Sequence, residues 1–219
     1  MTEKKILYVH GLASGKESRS AQLIRKYLPD WYTVDAPEIP QDPIEATEFL
    51  HSIQDNYDLV VGSSLGGFYA FILSSHVKKL LVNPAVYPAS YIREKIGLGE
   101  HEFFAERENG DKTFVIDEDY LNKLEELTEH YYGMCLDEEV RTITRCIVSP
   151  DDELLGSENY DNCKKLLYDD MVVESYGGHR LTEEVVEKVV VPEIRYMLEE
   201  MVYRHIYDLG EVDLDIDDI

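Results

Sequence analysis

The sequence is poor in cysteine, poor in basic residues and free of long apolar runs. Its three cysteines, Cys135, Cys146 and Cys163, cannot all pair, and no C-x-x-C or histidine-rich spacing surrounds them. Neither a disulfide framework nor a zinc module is encoded, and free thiols in a reducing compartment are expected. Lysine and arginine number 21 against 45 acidic residues, a net charge of −24. That field repels phosphate backbones and anionic membrane surfaces, so neither nucleic acid nor a membrane is an expected partner. No apolar stretch approaches the ~20 residues of a spanning helix. The opening MTEKKILYVH has no apolar signal-peptide core. A cytoplasmic location is the expectation. The absence of G-x-G-x-x-G argues against dinucleotide binding.

What remains has a globular balance, with 44% hydrophobic and 30% charged residues in 219. A chain of that length buries roughly 70% of its unfolded surface without a metal or disulfide staple. Short apolar runs alternate with helical stripes. Ile6–Val9, Trp31–Val34, Leu59–Val61, Lys79–Val82, Cys146–Val148 and Met171–Val173 read as strands. Between them, Leu23, Ile24, Tyr27 and Leu28 form a stripe stopped by Pro29, with capping-box spacing from Ser14 to Glu17 at its start. Pro43–Gln54, Leu65–Leu73 and Glu158–Leu167 also read as helices. Thr182 is placed to cap a last helix that Pro192 kinks or splits. This alternation predicts an α/β fold with a mostly parallel sheet and helices on both faces.

The alternation breaks between Asn83 and about Arg141, a stretch rich in Tyr, Glu and Phe with a helical pattern near Asp119–His130. An insertion of this length predicts a helical cap, about residues 85–141, in a single domain of residues 1–207. Its aromatics, Phe103 and Phe104 among them, are candidates to line an acyl pocket. The segment is expected to govern substrate choice and not the chemistry. Residues 208–219 form an acidic tail whose Asp213-x-Asp215-x-Asp217 lacks the glycine and distal glutamate of a calcium loop.

Gly62-Ser63-Ser64-Leu65-Gly66 matches G-x-S-x-G. At about 7% usage for each fixed residue, such a match arises by chance in roughly one chain of this size in fifteen. Context adds weight: a β-rich run precedes it and an apolar helix follows, the strand–turn–helix that lifts a serine above a sheet edge. The hydroxyl is a weak nucleophile and needs a base. On this arrangement the chain order is serine, acid, histidine. Of the histidines, only His179 and His205 follow the candidate acids. His205 lies in the final helical segment, where a surface histidine is the plain reading. His179 follows Gly177-Gly178 at the carboxyl end of a strand, where sites gather in open α/β sheets. The acid belongs on a similar loop, so Asp151, Asp152 or Glu153 orients the imidazole, and the other two are solvated bystanders. Spacing does not choose among the three. The oxyanion hole needs two backbone N–H donors, expected from Leu65 and from Leu12 in His10-Gly11-Leu12. His10 itself reads as a structural residue tying that loop. Gly11-Leu12-Ala13-Ser14-Gly15-Lys16 also resembles a phosphate loop. It has one residue too few between its glycines, and Glu17 stands where a Ser or Thr is required.

Tyr8-Val9-His10-Gly11-Leu12, Gly62 to Gly67, Val82-Asn83-Pro84-Ala85-Val86, Asp152-Glu153-Leu154-Leu155 and Gly177-Gly178-His179 occur in order from about residue 4 to about residue 200. Together they resemble the YqiA-like esterases, a branch of the α/β-hydrolase superfamily. The resemblance implies an α/β-hydrolase fold, Ser64 as nucleophile, Asp152 as acid and His179 as base, in a serine carboxylester hydrolase that needs no cofactor and no metal. The expected partner is a small acyl ester, and the sequence sets no oligomeric state. A thioesterase uses the same machinery on a better leaving group. A hydrolase fold kept only for binding is a third reading, which has no need of all three side chains. Reach also favours Asp152, because Pro150 suits the start of an outward turn at Asp151 while Leu154 and Leu155 can anchor a turn back in the core.

Overall fold

The strands of the main sheet are apolar on both faces, which only a sheet covered on both sides can satisfy. The computed structural model describes residues 3–201 except 75, 106, 136 and 137, with the side chains of 134–138 also left out. His205, the side chain of Cys135 and the tail 208–219 lie outside the described residues. In chain order the main elements begin with β1 (Lys4–Val9), α1 (Arg19–Tyr27), β2 (Tyr32–Asp35), α2 (Pro43–Ile53), β3 (Leu59–Ser63), α3 (Leu65–Phe71) and β4 (Lys78–Val82). Then come α4 (Pro88–Tyr91), β5 (Gly99–Glu102), β6 (Thr113–Ile116), α5 (Glu118–Cys135), α6 (Glu138–Thr142), β7 (Thr144–Val148), α7 (Gly156–Leu166) and β8 (Val172–Glu174). A helical run from Glu183 to Glu200 closes the described part, through α8 (Glu183–Val185) and α9 (Val191–Arg195) with wider π turns after each.

Six parallel strands pair in the order β2-β1-β3-β4-β7-β8. Side chains alternate between two cores, as the strand period requires. Leu7, Val9, Val60 and Leu81 face the core under α2, α3, α5 and α7. Ile6, Tyr8, Val61 and Leu80 face the one under α1 and the C-terminal helical run. Each such side chain contributes roughly 1.5–3 kcal/mol by leaving water. Thr182 does cap the last run, accepting from the Val185 N–H. Pro192 does not split that run. It sits in the first turn of α9, directly after the π turn Val186–Val190, whose wider ring leaves room for a residue that cannot donate.

Two local expectations need correction. The Ser14–Glu17 spacing does not open α1. The helix starts at Arg19 with Ser18 at its cap, because residues 11–18 are taken up by turns closed by Ser14 N–H to Gly11 O and Ser18 N–H to Gly15 O. The insertion between β4 and β7 is not wholly helical: β5 and β6 form an antiparallel hairpin within it. Its tyrosine- and phenylalanine-rich sequence also suits a pleated surface, and Phe114 and Ile116 bury the inner face while Thr113 and Val115 stay outside. Cys146 and Cys163 are free and buried. Among the described residues no helix is long and apolar enough to cross a membrane, and no cluster of His, Cys, Asp or Glu is arranged to hold a metal ion.

Candidate active site

All strands of the main sheet point one way, so the loops after β1, β3, β4, β7 and β8 meet at one edge. The turn from β3 into α3 is the tightest of them. Ser64 takes φ 57 and ψ −124, a conformation that costs a non-glycine residue about 1–3 kcal/mol and must be held by its surroundings. Its carbonyl accepts from the Gly67 and Ala85 N–H groups at 2.9 and 3.0 Å. The flanking glycines are required by space. A Cβ on Gly62 would stand 2.2 Å from the Gly66 oxygen, and one on Gly66 would stand 2.1 Å from the Val9 oxygen. Gly11 lets the loop after β1 approach the serine, since a Cβ there would lie 3.1 Å from Ser64 Cβ.

Ser64 Oγ lies 3.0 Å from His179 Nε2, and His179 Nδ1 lies 2.8 Å from Asp152 Oδ2. With its Nδ1–H donated to the carboxylate, the ring presents the Nε2 lone pair to the serine hydroxyl. Asp152 is 3% exposed, and its other oxygen accepts from the Leu154 and Leu155 N–H groups at 2.9 and 2.8 Å. The two leucines fix the carboxylate through their amides; their side chains are only partly buried. Asp151 is exposed, as a bystander would be. Glu153 is not a bystander, contrary to expectation. Its Oε2 accepts from the His179 backbone N–H at 2.9 Å. That hydrogen bond is the main cause that holds its carboxyl below the usual glutamate value.

The loop after β1 carries the Leu12 N–H, and α3 begins with the Leu65 N–H. Neither amide has an acceptor among the described residues. His10 is buried and acts as a tie: its Nδ1 donates to Gly11 O at 3.1 Å and its Nε2 accepts from the Ile39 N–H at 3.4 Å. Burial, with Arg107 nearby, pushes its pKa down to about 4. The ring is therefore neutral at ordinary pH and holds the loop without entering the reacting group. A recess partly open to solvent lies beside this loop and is lined by Leu12, Leu65, Gln41, Tyr69 and Tyr120 among others. The Glu38 carboxylate lies against this loop, where a Cβ on Gly15 would come within 2.5 Å of it.

Two residues that sequence reasoning did not assign to the site also sit in it. Asn83, just past β4, has φ 43 and is buried. Its Nδ2 donates to the carbonyls of Gly178 and His179 at 3.0 and 3.1 Å, and its Oδ1 accepts from the Ser149 N–H at 2.9 Å. The unusual Asn83-Pro84-Ala85 was the available signal. Arg107 reaches the loop after β1 from the insertion, donating to Ser14 O at 3.0 Å and to Ile39 O while pairing with Glu38 at 2.9 Å. Nothing in its local sequence marked it. Phe103 does not line the site: it packs on Phe114 at 4.7 Å and under the Arg107 guanidinium. Phe104 is 74% exposed, with the Arg180 guanidinium 5.7 Å from its ring.

The model of an uncharacterised protein family, UPF0227, matches residues 5–185, and this is the YqiA-like family to which the motifs point. Among solved structures, Est1E from Butyrivibrio proteoclasticus is similar with a TM-score of 0.66 at 14% identity, over 90% of this chain and 89% of that one. Mouse alpha/beta hydrolase domain-containing protein 10 is similar with a TM-score of 0.60 at 16% identity, over 96% and 93%. The monoacylglycerol lipase of Paleococcus ferrophilus is similar with a TM-score of 0.57 at 15% identity, over 92% and 96%. These likenesses establish the α/β-hydrolase fold.

Proposed function

The chain belongs to the uncharacterised protein family UPF0227, and within it we propose a serine carboxylester hydrolase that works through an acyl-enzyme. The observation that carries this reading is the unbroken hydrogen-bond chain from Ser64 Oγ through His179 to the buried Asp152. Ser64 Oγ attacks the ester carbonyl while His179 Nε2 takes its proton. Asp152 keeps the ring in the productive tautomer and stabilises it once charged. The carbonyl oxygen becomes an oxyanion, and the Leu12 and Leu65 amides are free to donate to it. Such donors typically matter by 10²–10³ in rate. Collapse breaks the bond to the alcohol oxygen, which leaves with the proton from His179. Water then repeats the sequence: His179 takes its proton, its oxygen attacks the acyl carbon, and Ser64 recovers its own proton as the acid departs. The recess beside the two amides, lined by Leu12, Leu65 and Tyr69, is the place an acyl group would take. The monoacylglycerol lipase that shares the fold supports ester chemistry.

The test is a fluorophosphonate probe read by intact mass, beside hydrolysis of p-nitrophenyl acetate. One probe per chain is expected in the wild type and none in Ser64→Ala, with hydrolysis lost in parallel. Folded wild-type protein that takes up no probe, or that keeps labelling after Ser64→Ala, would sink the proposal.

A further inference from the structure

The base sits on a weak support. Gly177 and Gly178 precede it with φ 90 and 78, so the two residues that set its direction have no side chain to pack and a wide choice of backbone conformation. His179 Nε2 nevertheless has to meet Ser64 Oγ, and a constellation of this kind works only when held within about 0.5 Å. Side chains from two other loops reach its backbone.

We propose that Asn83 and Glu153 are positioning residues that clamp the main chain of His179 and so aim its ring between Asp152 and Ser64. Both polar groups of the His179 backbone are held from outside. Glu153 Oε2 accepts its N–H at 2.9 Å, and Asn83 Nδ2 donates to its carbonyl at 3.1 Å and to that of Gly178 at 3.0 Å. The fit of Gly178 against Glu153 is close enough that a Cβ there would stand 2.4 Å from Oε2. Asn83 does a second task with its remaining oxygen. By accepting from the Ser149 N–H at 2.9 Å, it fixes the start of the loop that carries Asp152. One amide group thus joins the acid loop to the base loop, from the end of the strand that neighbours the nucleophile strand β3. Asparagine suits the position twice over. Its amide both donates and accepts, and it tolerates the left-handed φ of 43 better than most residues. Neither residue touches the reacting atoms: Glu153 acts through His179, and Asn83 through His179 and through the loop of Asp152, whose carboxylate in turn bonds His179.

That last point separates positioning from mere support of the fold, and it rests on His179 acting as the base. Asn83→Gly keeps the backbone conformation and removes the amide. It is expected to lower kcat for p-nitrophenyl acetate by about 100-fold with little change in KM, as lost alignment does. In a His179→Ala background, where the ring to be aimed is gone, the same substitution should cost less than about twofold. Glu153→Ala should lose about tenfold, and Glu153→Gln, which retains an acceptor oxygen, should recover most of it. Asn83→Asp keeps the acceptor for Ser149 and loses both donors, so it provides the same reading if Asn83→Gly does not fold. Equal losses from Asn83→Gly in the wild-type and His179→Ala backgrounds would reduce the clamp to a structural role. Full activity of Asn83→Gly beside an inactive His179→Ala would overturn the clamp alone. Full activity of His179→Ala would overturn the base assignment and the clamp with it.

Discussion

The two halves of the site are held together in different ways. The acid–base half is closed within the sheet edge: Asp152 and His179 come from the loops after β7 and β8, and Asn83 and Glu153 from the same set of loops join them. The oxyanion half leans on the insertion. Phe104 N–H donates to Ala13 O at 2.8 Å, Arg107 donates to Ser14 O, and Lys16 pairs with Glu108. Ala13 itself has φ 60, a strained value for a side-chain-bearing residue, so the loop needs those outside ties. The difference teaches that the insertion has a task besides the substrate choice expected of it. Its hairpin tip ties the loop that carries the proposed oxyanion donor, whereas the hydrogen bonds of the acid–base half run between loops of the sheet edge, with Phe104 of the insertion set against Arg180.

The largest effect expected from breaking this arrangement lies in the acid–base half. Asp152→Asn leaves the shape and removes the charge, and the wrong imidazole tautomer then faces Ser64, at a cost of about 10⁴ in kcat. Asp151→Asn, one residue away and exposed, should lose less than about tenfold. Steady-state kinetics on the two variants decides. Comparable losses would mean that Asp152 does not orient His179.

A smaller loss is expected in the oxyanion half. Arg107 and Glu38 pair with side chains 10% and 16% exposed, so the pair is screened less than a surface bridge. Arg107→Ala removes the ties to Ser14 and Ile39 and leaves Glu38 unpaired. The Leu12 amide should drift, and kcat should fall about 10- to 100-fold, less than for outright removal of an oxyanion donor. Combined with Asn83→Gly, the two losses should multiply, because the substitutions act on separate halves. A double variant no worse than Asn83→Gly alone would show the halves to be one coupled unit.

The same division explains what was legible in the sequence. The strand–helix alternation, the serine turn and the loop bearing His179 each follow from local pattern and chain order, because the sheet edge gathers whatever follows a strand. The choice of Asp152 among three neighbouring acids needed more than spacing. It depends on the amides of Leu154 and Leu155, which only the folded turn brings to its carboxylate. Glu153 read as surface charge because a backbone N–H 26 residues away is its partner. Arg107 was invisible for the same reason, its partners lying 68 and 93 residues distant. The Ser14–Glu17 spacing misled because the motif is short, and the loop after β1 uses those residues for turns of its own.

The last and smallest effect is one of stability, and it falls on the oxyanion half alone. His10 ties the loop through both ring nitrogens, and its pKa is about 4 against an ordinary 6.5, chiefly through burial. Arg107 beside it opposes protonation and Glu38 favours it. Between those two values the unfolded chain binds a proton that the folded chain refuses. Folding stability from this group is therefore complete above pH 6.5 and declines as pH falls toward 4. From pH 6.5 to 5 the loss should be on the order of 2 kcal/mol. Glu153 behaves differently. Its carboxyl is held below an ordinary value of 4.5, so it stays charged through that window and adds no such slope there. Urea unfolding of the wild type and of His10→Gln at several pH values measures the difference. The wild-type curve should fall between pH 6.5 and 5, and the variant, whatever its absolute stability, should be flatter there by the same amount. Parallel curves would mean that His10 is protonated in the folded chain, and that the oxyanion loop is held by Arg107 and Phe104 without it.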